Sequence, residues 1–207
     1  MHKNTLTFSI ISLVIALLGG VLLVADLWLK NAPAAASASS PLSPTVDGRA
    51  AEGEYAHSSY DEITGMTLYW SVVGNTIYFG LHSPGAGWLA MGLAPDGPMM
   101  RGADIVMGYV KDGQAFVEDH FGDTPTSHKH DTAITGSDSL ISFAGAEDEL
   151  GSALEWSRSL ATGDARDKPL DQGKVFVQLA YADQDDWSTY HSKRNTIPVD
   201  FFASEGD

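Results

Sequence analysis

From about Asp47 to its end the chain is cut into short apolar runs of period two, separated by turn residues, a pattern that admits little except an antiparallel β-fold. The run 66–72 is followed by a Gly74-Asn75 turn, and 76–82 then places Ile77, Phe79 and Leu81 on one face. Runs at 88–93 and 104–110 come next. Lys111, Asp112 and Gly113 end the second of these, and 114–119 pairs back as a hairpin. Further strands are expected at 139–143, 153–158, 174–181 and 197–202, and no window reads as a long amphipathic helix. Eight or more short strands with a turn about every 8–12 residues predict an all-β antiparallel β-sandwich over residues 47–203.

Two segments precede that domain. Residues 5–25 carry no charge and are rich in Leu, Ile and Val, with Lys3 before them and Asp26 and Lys30 after. At ~1.5 Å per residue such a run spans ~30 Å, the thickness of a hydrocarbon core. Residues 1–30 are therefore expected to form one N-terminal transmembrane or signal-anchor helix, with Trp28 at the interface. Small residues around Ala34, Ala36 and Ala38 keep a cleaved signal as the alternative. Either way the remainder is exported, to the periplasmic or extracellular side. Residues 31–46 are Ala, Ser and Pro without periodicity, a flexible tether.

Composition then narrows the chemistry. With 27 acidic against 12 basic residues the net charge is -15, which argues against nucleic acid as a partner. The chain has no cysteine, so disulfides, thiolate zinc sites, iron–sulfur clusters and haem attached through C-x-x-C-H are excluded. Any cofactor must be held by His, Met, Lys or carboxylates. No G-x-S-x-G, H-E-x-x-H or P-loop pattern occurs, and no enzyme in its own right is expected.

Gly87-Trp88-Leu89-Ala90-Met91-Gly92-Leu93, followed by Met100-Arg101-Gly102-Ala103-Asp104 and its strand, resembles the DOMON family. The likeness continues in order through Tyr69-Trp70, Asp119, His130-Asp131, Trp156-Ser157-Arg158, Thr162-Gly163-Asp164, Ala180-Tyr181 and Tyr190-His191, over about 53–202. The resemblance implies a β-sandwich. In the family's haem-binding branch a Met before the Gly-Ala-Asp segment and a late His hold the iron of a haem b, which here means Met100 and His191. Such ligation suits electron transfer, because a thioether favours Fe(II) and raises the potential relative to two imidazoles.

Other candidates are weighed beside these. Met99 is the register alternative to Met100, Lys193 the substitute for His191, and Arg194 a partner for a haem propionate or simply a solvated charge. Met91 and Met107 read as core fillers. His128 and His130 read as a solvated loop rather than a metal cluster, His82 as a distant alternative ligand, and His120 as a hairpin cap. Asp164, Asp167 and Asp171, like Asp183, Asp185 and Asp186, follow no EF-hand spacing and read as turns. The expected function is a membrane-tethered b-type cytochrome exchanging electrons with a redox protein that has a basic docking surface. The alternative is a haem-free module that recognises a sugar or other small ligand, or regulates a partner protein.

Overall fold

The computed structural model describes residues 43–96 and 99–203. The expected anchor, 1–30, and most of the expected tether, 31–46, lie outside them. Among the described residues no helix is long and apolar enough to cross a membrane.

The strands are β1 (His57–Asp61), β2 (Met66–Val73), β3 (Thr76–Ser83), β4 (Leu89–Leu93), β5 (Asp104–Lys111), β6 (Gln114–Phe121), β7 (Lys129–His130), β8 (Leu140–Asp148), β9 (Gly151–Ser159), β10 (Lys174–Tyr181) and β11 (Lys193–Asp200). They form two antiparallel sheets, one in the order β1-β2-β3-β9-β8 and the other β11-β10-β4-β5-β6-β7. A 3-10 turn, Asp131–Ile134, follows β7. The fold is the two-sheet sandwich that the period-two runs imply.

Alternation fills the space between the sheets. Leu68, Trp70, Ile77, Phe79 and Leu81 point in from one sheet, and Leu89, Met91, Leu93, Val106, Val177 and Leu179 from the other. Trp156 packs against Phe79 with centroids 5.3 Å apart, and Trp70 Nε1 donates to the Phe201 carbonyl across the sandwich at 3.3 Å. Met91 is wholly buried there, in the role expected of it.

Some expectations shift. The strand β1 has no apolar alternation to betray it (His-Ser-Ser-Tyr-Asp), because as a sheet edge it buries little. Its His57 stacks on Trp70 at 5.3 Å. The last strand begins at Lys193, not at residue 197, and ends before Phe201 and Phe202, which form a turn. That earlier start places Lys193 and Arg194 inside the ladder, opposite Tyr181 and Ala180.

Candidate functional site

At its centre, on β4 and β5, the six-stranded sheet is apolar on both faces. In β4 the large residues Leu89, Met91 and Leu93 turn into the sandwich, while Ala90 and Gly92 turn out. In β10, Ala180 and Gln178 face outward beside them, and β5 contributes Ile105 and Met107. Small residues in the middle of a sheet face leave a depression whose floor is a second, smaller apolar cluster of Trp88, Ala90, Ile105 and Met107. Two lobes of one cleft occupy it. The larger, of 390 Å³, is lined by Met99, Met100, Gln178, Ala180, His191, Arg194 and Thr196 among others. The smaller, of 80 Å³, reaches down to Trp88, Ala90, Ile105, Met107 and His128. Met100, Gln178, Ala180 and His191 line both. A volume of a few hundred Å³ with an apolar floor and few polar groups is the usual form of a small-molecule site.

Each wall is a loop held in place. On one side the Ala103 amide donates to the Met100 carbonyl at 2.9 Å, the Gly102 amide donates to the carbonyl of Gly122, just after β6, and the Gly122 amide donates to the Ala103 carbonyl. A Cβ on Gly122 would lie 1.8 Å from the Met100 carbonyl oxygen, so only glycine lets this loop close. Met99 takes φ of 60°, is 40 % exposed, and accepts a bond from Gln178 Nε2; Met100 is half-buried against the outer apolar cluster.

On the other side the loop after β10 carries His191. The Asp186 carboxylate accepts the Ser188 and Thr189 amides and the Thr189 hydroxyl, which hold its pKa down at about 2. Trp88 Nε1 donates to the Thr189 carbonyl at 3.0 Å, and Ser192 donates its amide to Tyr181. The His191 ring lies against Tyr190 at 3.9 Å. Burial, and then the charge of Arg194, lower its pKa, so at neutral pH it presents a free lone pair.

Met100, His191 and Arg194, read from the sequence as candidates, thus line one cleft. Lys193 is exposed and lines neither lobe, because the chain turns at Ser192 and the next strand sets Lys193 and Arg194 on opposite faces. Met99 lines only the larger lobe. Three readings need correction. Met107 is buried on the outward face of β5, under the smaller lobe, and not between the sheets. His128 is half-buried, lines the smaller lobe and contacts His120, Nδ1 to Nδ1, at 3.0 Å. His120 is itself buried, bonded through Nε2 to Glu118 at 2.8 Å, and desolvation pulls its pKa down to about 4. No periodicity marks His128, because it precedes a two-residue strand.

A family model, "DOMON domain", matches residues 62–183. The chain is 32% identical over 144 residues to DBH-like monooxygenase protein 1 of Homo sapiens, covering 68% of this chain and 23% of that protein. With its Mus musculus counterpart it shares 31% over 118 residues, 57% of this chain and 18% of that one. It spans about a quarter of the length of such relatives or less. Among solved structures, the cytochrome b domain of pyranose dehydrogenase from Coprinopsis cinerea superposes with a TM-score of 0.52 at 14% identity, over 69% of this chain and 80% of that one.

Proposed function

The chain belongs to the DOMON domain family, and from that premise we propose that it is a b-type cytochrome domain, with Met100 and His191 holding one haem in the outer cleft. The observation that carries this reading is that a thioether and a neutral imidazole, far apart in sequence, line the same two lobes over an apolar floor. The donor set fits the group: a soft sulfur and a nitrogen base, with no thiolate and no carboxylate lining either lobe. The haem would supply a one-electron Fe(III)/Fe(II) couple. Trp88, Ile105 and Met107 would keep water from the floor, and Arg194, which lines the larger lobe, would pair with a propionate. That the solved neighbour is a cytochrome b domain agrees with the reading.

We infer further that the domain passes electrons and performs no bond-making chemistry of its own. Its charge of -15 favours a basic redox partner. The apolar run 5–25 would tether it to a membrane, with the domain on the periplasmic or extracellular side. Titration of the purified chain with haemin tests the haem assignment. One equivalent should bind with a sharp Soret band, and His191→Ala should lose it. A folded chain that takes up no haemin would leave the haem-free binding module in its place.

A further inference from the structure

Four carboxylates meet inside the protein. Asp104 opens β5, Asp119 lies near the end of β6, Asp131 begins the 3-10 turn, and Asp167 comes from the loop after β9. All four are more than nine-tenths buried. One buried cation answers them: Arg158 Nη1 donates to Asp104 Oδ2 at 2.5 Å, an oxygen that also accepts the Lys168 amide. Asp119 Oδ2 accepts the Ser139 amide. Beyond these bonds, Oδ1 of Asp104, Oδ1 of Asp119, Oδ1 of Asp131 and both oxygens of Asp167 are buried with no hydrogen-bond partner. Buried polar atoms are nearly always paired, and an ionised carboxylate left alone in the interior costs several kcal/mol. Five orphaned oxygens in one cluster therefore need a common explanation.

Geometry supplies one. Oxygens of Asp104, Asp119 and Asp167 all lie within 4.8 Å of one another, as do those of Asp131, Asp164 and Asp167. That span is about twice a Ca–O distance of roughly 2.3–2.6 Å, so each trio fits the shell of a single ion. The donors are hard anionic oxygens without nitrogen or sulfur, which selects Ca²⁺ or Mg²⁺ over transition metals. Asp167 belongs to both trios and spends neither oxygen on the protein. We propose that Asp104, Asp119 and Asp167, with Asp131 beside Asp167, form a calcium site that joins β5, β6, the 3-10 turn and the loop after β9. Calcium is favoured over magnesium because it accepts many carboxylates in irregular geometry, whereas Mg²⁺ keeps its waters and demands an octahedron. This inference is independent of whether the outer cleft holds haem.

Thermal unfolding of the purified full chain at pH 7.5, in EDTA and then in Ca²⁺ or Mg²⁺, tests it. Calcium at a hundredfold excess over its Kd should raise Tm by about 5–10 °C, with one ion bound per chain by calorimetric titration. An ion that resists EDTA would appear as one calcium per chain by elemental analysis and supports the site equally. Asp167→Asn should abolish the response while unfolding in EDTA no lower than the unmodified chain, since it removes a like charge. Asp171→Asn, at an exposed position, should keep the full response. A Tm unmoved by calcium with no bound ion, an equal rise with Mg²⁺, or a response that survives Asp167→Asn would each overturn the assignment.

Discussion

Adding one methyl group at Gly122 would put a Cβ 1.8 Å from the Met100 carbonyl oxygen, which makes this position the sharpest probe of how Met100 is held. Gly122→Ala should cost about 1–3 kcal/mol in urea unfolding, the usual range for overpacking, and weaken haemin binding at least tenfold. An unchanged haemin titration would mean that Met100 does not depend on this contact. Arg194 is exposed and should act only through charge. Arg194→Gln should lower haemin affinity by about two- to fivefold, the worth of an exposed ion pair, and leave the band positions in place. At this scale the sequence pointed to Met100 and His191, and the fold brings the two to one cleft. The burial of His128 and Asp119 was not legible in the sequence, because segments distant in the chain cover them: Asp167 lies beside Asp119, and Trp88, Gln178 and His191 line the cleft with His128.

At the scale of elements, strands with apolar alternation could be read directly, and β2 to β6 fall within a residue or two of expectation. An edge strand such as β1, whose polar residues bury little, could not. Nor could the second apolar face of β4 and β5, since Leu-Ala-Met-Gly-Leu reads as an ordinary alternating strand until Ala90 and Gly92 are seen to floor a cleft. Arg158, buried on β9, ties that strand to Asp104 on β5. Arg158→Met should cost about 3–5 kcal/mol in denaturant, because it leaves the acidic cluster without its buried cation.

The same cluster sets a pH dependence. Burial, and next the neighbouring carboxylates, push Asp119 up to about 8 and Asp131 up to about 7; burial also raises Asp104, against the opposing charge of Arg158. Asp164 adds to the rise at Asp131, and Arg166 opposes it. In the unfolded chain these groups titrate near 4, so above that pH the folded state holds more protons, and stability falls as pH rises through the folded values. From about pH 7 to 9 the lowered histidines His120, His128 and His191 are already neutral and do not mask the slope. In EDTA, stability measured by urea unfolding should therefore drop across this window, and saturating calcium should flatten it. A rise in EDTA from pH 7 to 9 would mean that the fold does not hold protons on these carboxylates.

For the molecule as a whole, charge and topology divide the work. The sandwich fixes a cleft on one sheet face, and a net charge of -15 would favour basic proteins as partners. Electron transfer from the reduced chain to a basic c-type cytochrome should slow several-fold as ionic strength rises from about 0.01 to 0.15 M, over which the Debye length shrinks from about 30 to 8 Å. A rate independent of salt would remove the case for a basic partner.

If Met100 and His191 together hold a haem, absorption spectra of the haem-loaded chain will depend on both side chains. The oxidised and dithionite-reduced forms would be compared for the unmodified chain, Met100→Ala and His191→Ala. We predict a Soret band that sharpens on reduction, with resolved α and β bands, in the unmodified chain, and loss of those bands in each variant. Bands that survive both substitutions would contradict this pair of ligands.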